Sequence, residues 1–243
     1  MRLPRVFLYR GSMFIYLFLR ALSRMLTGLV PGDHIVIPTI MGFKLVLPKH
    51  GYASGARPIT IMFGLVEPQW RDYFKEAVKS AKVFIDVGSA SDGYYALLST
   101  KFNRKILVVA VEPSPTEYRY LLYNVTINNV KNNILCLNIG LSDQSGRIMI
   151  ENKNIYLIKL DELVNVLKLD TVDLIKLDVE GAGGKIIAGA VKTIEKFKPI
   201  IFFEVHNDDE RRAIRKLSKM GYKIYKQPGD MYILIHPSKF NYS

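Results

Sequence analysis

Two carboxylates and a lysine stand at the end of an apolar run in the second half of the chain. Lys176 lies within the run 172–177, and Asp178 and Glu180 follow it directly. Strands buried on both faces of a parallel sheet read as nearly continuous apolar runs. Charges that enter such a strand are costly unless they are paired. Because open α/β sheets bind ligands at the carboxyl ends of their strands, the pattern predicts a functional site here; the alternative is a set of solvated charges at a sheet edge.

A second acid and an imidazole end the next apolar run. The period of two along a strand places Glu204 and His206 on one face, and likewise Lys176, Asp178 and Glu180. If the two strands are neighbours, these groups converge and could orient a hydroxyl and accept its proton. The alternatives are a loop histidine that plays no part in chemistry and a lysine that only neutralises the acids. We predict no bound metal, and a metal held by Asp178, Glu180 and His206 stays open as an alternative.

A glycine-bearing loop follows an earlier predicted strand, at residues 82–87. Asp86 ends this strand, and Gly88, Ser89 and Gly93 belong to the loop that leads into a helix. Such a loop lets a ligand approach the backbone closely, and the helix start offers unpaired N–H groups. An acid at this point would repel a phosphate but suits a cationic cofactor such as S-adenosylmethionine. The alternative is an ordinary turn that Asp86 caps.

Two further positions fit a bound nucleoside. Glu112 ends the next predicted strand, and an acid about 20 residues beyond a glycine loop binds ribose hydroxyls in nucleoside-binding α/β folds. Ser142 and Asp143 follow the third strand, where polar groups could meet the amino group of an adenine. A surface acid at Glu112 and a simple turn at 141–146 are the alternatives.

Composition sets the broad class of the protein. The 243 residues carry a net charge of +12, which allows nucleic acid, anionic lipid or an anionic substrate as a partner. The single cysteine, Cys136, excludes an intramolecular disulfide, and with four histidines it argues against a structural zinc site.

The N-terminus combines a short apolar stretch, residues 13–19, with flanking arginines. The stretch is far shorter than the ~20 residues that span a bilayer, and no good signal-peptidase site follows it. We expect a helix that packs on the main domain of a cytoplasmic protein. The alternative is a helix that lies on a membrane surface and makes the protein peripheral.

Alternating strands and helices follow residue 81. The predicted strands are 82–87, 105–111, 134–139, 172–177 and 199–205, and the predicted helices are 68–80, 93–101, one from 115, 160–167, 185–197 and one from 208. A hairpin over 222–225 and 231–235 ends the chain. The pattern predicts an α/β domain over residues 67–243, with a mostly parallel seven-stranded sheet and a C-terminal antiparallel hairpin. Residues 1–66 are predicted to form an N-terminal helical and β extension.

Together these segments resemble the FkbM family of S-adenosylmethionine-dependent methyltransferases. The matching motifs stand at residues 84–88 (Phe-Ile-Asp-Val-Gly), 111–113 (Val-Glu-Pro), 124–128, 160–163 (Leu-Asp-Glu-Leu), 173–182 and 201–206. The resemblance implies a Rossmann-like methyltransferase fold and methyl transfer, often to a hydroxyl oxygen of a sugar, lipid-linked or natural-product acceptor.

The resemblance also implies roles for single residues. It places Asp86 and Gly88 at the methionine end of the cofactor and Glu112 at the ribose. It places Ser142 and Asp143 near the adenine. The residues that it turns toward the transfer site are Lys176, Asp178, Glu180 and Glu204.

The chain departs from the family pattern at two places. Four residues separate Gly88 from Gly93, where the family commonly has three, so that Asp92 is inserted or replaces a glycine. Gly183 and Gly184 stand where the family commonly continues with another glutamate. The first departure bears on cofactor affinity and the second on the number of acids at the transfer site.

The leading hypothesis is an S-adenosylmethionine-dependent O-methyltransferase with a small-molecule or glycan acceptor. An RNA methyltransferase is the first alternative, motivated by the net charge of +12 and by the basic helix that carries Arg211, Arg212 and Arg215. A catalytically inactive protein that binds a membrane surface is the second, motivated by the altered loop at Asp92 and Gly93.

Overall fold

The computed structural model describes residues 33–48 and 57–239. The predicted N-terminal helix, with the membrane contact proposed for it, lies outside the described residues. The chain divides into two compact units, Met1–Asp72 and Tyr73–Ser243. The division falls inside the helix over residues 68–80, whereas the sequence pattern placed it just before that helix.

The first unit contains a small β element within the N-terminal extension predicted over residues 1–66. Strands β1 (His34–Pro38) and β2 (Lys44–Pro48) pair antiparallel, with Val36 opposite Val46. Thr39 closes the turn, since its backbone N–H and side-chain hydroxyl both donate to the Phe43 carbonyl. A short helix, α1 (Arg57–Met62), follows and was not predicted; α2 (Pro68–Ser80) then runs from the first unit into the second.

A seven-stranded sheet organises the second unit. The strands in chain order are β3 (Val83–Val87), β4 (Leu107–Val111), β5 (Ile134–Leu137), β6 (Gly140–Leu141), β7 (Gly146–Ile150), β8 (Lys153–Ile158), β9 (Leu174–Leu177), β10 (Ile200–Glu204), β11 (Lys223–Gln227) and β12 (Met231–Ile235). The order across the large sheet is β11-β12-β10-β9-β3-β4-β5. β12 runs antiparallel to both of its neighbours, and the other pairs are parallel. The predicted seven-stranded sheet with a terminal hairpin is confirmed.

Six helices of the second unit follow the strands. They are α3 (Tyr94–Phe102), α4 (Pro115–Ile127), α5 (Leu160–Val166), α6 (Gly183–Ala188), α7 (Val191–Phe197) and α8 (Asp208–Lys219). The single helix predicted over 185–197 is wrong, because α6 ends before Gly189 and α7 begins after it. A Cβ at Gly189 would lie 2.1 Å from the Ser142 carbonyl oxygen, so the chain must pass closely there. Asp161 then caps α7 by accepting the N–H groups of Lys192 and Thr193.

A second small sheet, β6-β8-β7, was not predicted. β7 is exposed along most of its length, so its residues show no alternation of apolar and polar types. Its turn with β8 is held by a tertiary contact, in which Ser114 and Thr116 donate hydrogen bonds to the Glu151 carboxylate. Local sequence pattern carries little of this information.

The four central strands are buried almost throughout, which explains their apolar composition. β3 and β9 are buried at every position. Two charged residues, Asp86 and Lys176, lie inside these buried strands. The fold therefore brings costly charges together at one edge of the sheet.

Candidate active site

Strand register sets the positions of the first charged pair. In the parallel pair β3–β9, Asp86 lies opposite Lys176 and Val87 opposite Leu177. Both strands end at this point, so the residues that follow them leave the same edge of the sheet. Asp178 comes next after β9, and Gly88 next after β3.

Lys176 is a buried cation shared by two acids. Its side chain is 3% exposed, and its ammonium lies 2.8 Å from the Asp178 carboxylate. The same ammonium lies 4.8 Å from the centre of the Tyr95 ring. It also attracts the Asp86 carboxylate from the neighbouring strand. Lys176 therefore pairs with Asp178, as in the alternative that this lysine neutralises an acid, and its role at the transfer site stays a prediction.

Asp86 is almost completely buried and has one unsatisfied oxygen. It is 1% exposed, and its Oδ1 has no hydrogen-bond partner among the described residues. Burial raises the pKa of Asp86 to about 6, although the charge of Lys176 opposes the shift. Orphaned buried carboxylate oxygens are uncommon in folded proteins, and one at a strand end suits a cationic or hydrogen-bonding ligand.

The first glycine of the loop is required by packing against the neighbouring strand. Gly88 has φ +79°, and a Cβ there would lie 2.0 Å from the Asp178 carbonyl oxygen. Its N–H and that of Ser89 both donate to the Val111 carbonyl. The close contact with β9 thus gives Gly88 a packing reason for its identity, and the close approach of a ligand to this loop stays a prediction.

The rest of the loop is held by two carboxylates, one directly after β4 and one in the first turn of α4. The Ala90 N–H donates to Glu112 Oε2 at 2.9 Å, and the Ser91 N–H donates to Glu117 at 2.8 Å. Ala90 adopts the left-handed conformation with φ 54°. Asp92 accepts the N–H of Tyr94 and so caps the start of α3. The extra residue between the two glycines is thus absorbed in an ordered, hydrogen-bonded loop.

Gly93 also has a structural reason for its identity. Its φ is +54°, and a Cβ there would lie 2.5 Å from the Leu121 side chain of α4. The loop therefore needs glycine at both ends, the first against β9 and the second against α4. Neither requirement was visible in the sequence, since both depend on neighbours that are distant along the chain.

Glu112 lies at the end of β4, next to the loop that follows β3. It is 7% exposed; Oε1 accepts the Ser114 N–H and Oε2 the Ala90 N–H. Burial raises the pKa of Glu112 to about 7, and these two hydrogen bonds oppose the shift. Each carboxylate oxygen can accept more than one hydrogen bond, so a diol could still donate to this group.

The predicted adenine contacts are engaged with other parts of the protein. The Ser142 hydroxyl donates to the Asp143 carboxylate, and the Ser142 carbonyl lies against Gly189. Asp143 lines an open surface groove of about 900 Å³ together with residues of α5 and α7. Contact between Ser142 or Asp143 and an adenine stays a prediction.

A second group of side chains gathers where β9 and β10 end. One ligand-type atom from each of Asp178, Glu204 and His206 lies within 4.8 Å of the others. Asp178 and Glu204 are half-buried, and His206 is exposed. Glu180 is exposed in the turn after β9 and lies outside this trio. The period of two breaks down at Glu180, because β9 ends at Leu177 and the chain turns.

A carboxylate that sequence reasoning missed positions the His206 segment. Glu210 is fully buried, and its Oε2 accepts the His206 N–H at 2.6 Å. Its Oε1 accepts the Gly183 N–H at the start of α6. A Cβ at Gly183 would lie 2.5 Å from the Phe203 ring and 2.9 Å from Glu210. The second departure from the family pattern therefore lies where Glu210 and Phe203 leave no room for a side chain.

The basic helix predicted as a possible nucleic-acid surface is α8. Arg211 pairs with Asp230, and Arg212 pairs with Asp209 one turn earlier on the same helix. The remaining cations, Arg215, Lys216 and Lys219, are exposed. Within residues 33–48 and 57–239, the structure has no helix whose length and apolar content would carry it across a bilayer.

Taken together, the site has two halves on one sheet edge. Asp86 and Glu112 end adjacent parallel strands and offer buried carboxylate oxygens to a ligand with positive charge and hydroxyl groups. Asp178, Glu204 and His206 end the next two strands and offer groups that accept protons. The first half suits a cationic nucleoside, and the second suits the acceptor of a transferred group.

Comparisons with known proteins identify the family and the fold of the chain. The model of the "Methyltransferase FkbM domain" family matches residues 86–224, more than half of the chain. The structure resembles that of a methyltransferase FkbM from Methylobacillus flagellatus KT, with a TM-score of 0.52, 17% identity and coverage of 64% of this chain. The matched part spans only 44% of that longer protein.

A second solved structure has a similar fold over most of the chain. The METTL16 MTase domain matches with a TM-score of 0.52 and 14% identity, covering 93% of this chain and 92% of that one. No curated protein sequence matches the chain significantly. Both structural matches are low in identity, so they bear on the fold alone.

Proposed function

Since this chain belongs to the FkbM methyltransferase domain family, we propose that it transfers a methyl group from S-adenosylmethionine to a hydroxyl oxygen of a small-molecule or glycan acceptor. The observation that carries the proposal is the pair Asp86 and Glu112. Both are buried acids at the ends of adjacent parallel strands, and Asp86 keeps an oxygen without a hydrogen-bond partner among the described residues.

The cofactor half of the site follows from these two residues. When bound, S-adenosylmethionine supplies an electrophilic methyl group on a positively charged sulfur. The Asp86 carboxylate would face the cationic methionine end, and Glu112 would accept hydrogen bonds from the ribose hydroxyls. The loop that carries Gly88, Ser89 and Gly93 would form the wall of the pocket between them.

The acceptor half of the site follows from Asp178, Glu204 and His206. Methyl transfer to oxygen requires the acceptor hydroxyl to lie in line with the methyl carbon and to lose its proton. Asp178 or His206 would accept that proton, and Lys176 would hold the Asp178 carboxylate in place through their 2.8 Å contact. Glu180, exposed beside the trio, would contact the acceptor rather than the cofactor.

Direct binding tests the cofactor assignment. Isothermal titration calorimetry with S-adenosylmethionine should show one site per chain in the wild type. Asp86→Asn and Glu112→Gln should each weaken binding about tenfold or more, because each removes a charged partner of the ligand. Glu76→Gln, a change at an exposed acid of α2, serves as the matched control and should bind like the wild type. Equal affinity in all four proteins would contradict the assignment, and absence of binding would favour the inactive alternative.

A nucleic-acid acceptor is the second candidate, favoured by the net charge of +12. Two of the α8 arginines pair with acids, which leaves fewer cations for phosphates. A gel shift with bulk tRNA at two salt concentrations separates the candidates. Tight binding that weakens steeply with salt would favour RNA, because phosphate contacts release counterions.

A further inference from the structure

We propose that Asp178, Glu204 and His206 bind a first-row divalent metal ion beside the acceptor. This goes beyond the proposed function, and the role given to the ion rests on it. The metal alternative drawn from sequence used Glu180 as a ligand, but the structure brings Glu204 to this position instead. The ligand set is therefore one imidazole and two carboxylates from the ends of two adjacent parallel strands.

The distances are close to those of a metal site. Ligand atoms of all three residues lie within 4.8 Å of one another. Metal–nitrogen and metal–oxygen bonds of about 2.0–2.2 Å place two ligand atoms of the same ion at most about 4.4 Å apart. Small rotations of the His206 and Glu204 side chains would move their ligand atoms by a few tenths of an ångström. This shift would bring the three ligand atoms within the distance that one ion allows.

The surrounding charges favour an added cation. Asp86, Asp178 and Glu204 bring three carboxylates to neighbouring strand ends. Lys176 lies between two of them, Asp86 and Asp178. A divalent ion at the trio would lie next to the half-buried carboxylates of Asp178 and Glu204, whose negative charge favours a cation.

The backbone around the trio is held in place. Lys176 contacts the Asp178 carboxylate at 2.8 Å and so orients it at the end of β9. Glu210 accepts the His206 N–H at 2.6 Å and anchors the segment on α8. Outer contacts of this kind orient the ligands of known metal sites.

The chemistry of the donor set narrows the ion. One nitrogen and two oxygens suit Mn²⁺, Fe²⁺ or Zn²⁺ better than Mg²⁺, which binds mainly oxygen and keeps its waters. Because His206 is exposed, coordination positions on the solvent side stay open for an acceptor. A metal that binds the acceptor hydroxyl would lower the pKa of that hydroxyl. With Asp178 and His206 bound to the ion, the proton would pass to solvent water on the exposed His206 side instead of to either side chain.

Metal binding can be measured without activity. Full-length, untagged protein would be treated with chelator, dialysed and titrated with Mn²⁺, with binding read from the loss of the free-ion electron paramagnetic resonance signal. We expect one Mn²⁺ per chain and displacement of Mn²⁺ by Zn²⁺. Glu204→Gln and His206→Gln should each weaken binding about tenfold or more.

Two matched controls accompany these variants. Glu180→Gln removes an exposed acid two positions from Asp178, and His236→Gln removes an imidazole on a different segment. Both should keep the wild-type affinity for Mn²⁺, and thermal melting should show that every variant is folded. Absence of saturable Mn²⁺ binding, or equal binding by wild type and ligand variants, would overturn the proposal.

A parallel titration keeps this test separate from that of the proposed function. The chelated, metal-free protein would be titrated with S-adenosylmethionine. Cofactor binding without metal binding would contradict only the proposed metal site. Metal binding without cofactor binding would contradict the proposed function and support the metal site.

Discussion

The Lys176 ammonium and the Asp178 carboxylate form a buried ion pair with a distance of 2.8 Å. Lys176 stands in register with Asp86 on the neighbouring strand, so the same ammonium lies between the two halves of the site. The pair links the cofactor acid to the acceptor residues. It also explains how three charges can be kept at the end of buried strands.

Replacement of this lysine should destabilise the protein. Lys176→Met removes the cation from two acids while keeping much of the side-chain volume. Asp178 is 30% exposed and can regain water, so we expect a loss of about 1–3 kcal/mol, below the 3–5 kcal/mol typical of a fully buried pair. Urea unfolding at pH 8 would measure the change.

The matched double variant gives this prediction its control. Lys176→Met with Asp178→Asn removes both charges of the pair, so part of the lost stability should return. If Lys176→Met alone unfolds at the same urea concentration as the wild type, the pair contributes nothing to stability and the electrostatic account of this edge is wrong.

The affinity for S-adenosylmethionine should depend on pH through Asp86. Burial raises the pKa of this carboxyl to about 6, so it loses its charge as the pH falls below that value. A cationic ligand binds the charged form, and affinity should therefore rise between pH 5 and pH 7, by at most tenfold per pH unit. Titration calorimetry in buffers of different ionisation enthalpy should show proton release on binding near pH 6. Asp86→Asn should bind weakly at all pH values with no such release.

The stability of the free protein should fall as the pH rises through the acidic range. Burial raises the pKa of Glu112 from 4.5 to about 7, so the folded state keeps a proton that the unfolded state has lost. By linkage, the free energy of unfolding decreases between about pH 4.5 and pH 7, by at most about 3 kcal/mol from this residue, and levels off above.

Glu112→Gln should reduce that dependence on pH. Glutamine cannot ionise and keeps one oxygen to accept the Ala90 or Ser114 N–H. Urea unfolding at pH 5 and at pH 8 would give the change in the free energy of unfolding with pH for the wild type and for Glu112→Gln, with Asp170→Asn as the control. If the free energy of unfolding decreases equally in the wild type and in Glu112→Gln between pH 5 and pH 8, Glu112 does not have the raised pKa.

The first glycine of the loop should not tolerate a side chain. A Cβ at Gly88 would lie 2.0 Å from the Asp178 carbonyl oxygen, and the residue has φ +79°. Gly88→Ala combines a backbone clash with left-handed strain, and we expect a loss above about 3 kcal/mol or failure to fold.

Gly229→Ala separates the cost of the left-handed conformation from the cost of the backbone clash. Gly229 has nearly the same angle, φ +78°, but a Cβ there would meet nothing within 4 Å. It should lose only about 1–2 kcal/mol, the cost of the left-handed conformation. Thermal or urea unfolding of both variants gives the comparison, and equal losses would contradict the close contact between Gly88 and Asp178.

The sequence alone determined most of the sheet and the residue types at its edge. Apolar runs such as 82–87 and 172–177 specify strands that must be buried on both faces, and the helices predicted between successive strands favour a parallel sheet. Acids at the ends of such strands, Asp86, Glu112 and Asp178, therefore had to meet at one edge. The resemblance to the FkbM family rested on motifs in the same segments, and the family match over residues 86–224 confirms it.

Only the tertiary structure decided which of these side chains come together. The chain turns after Leu177, so Glu204 and not Glu180 joins Asp178 and His206. Packing against Asp178 requires Gly88, and the buried carboxylate of Glu210 shapes the start of α6. The physical reason is that periodicity holds only within a regular strand or helix, whereas the turns beyond it are set by contacts between residues far apart along the chain.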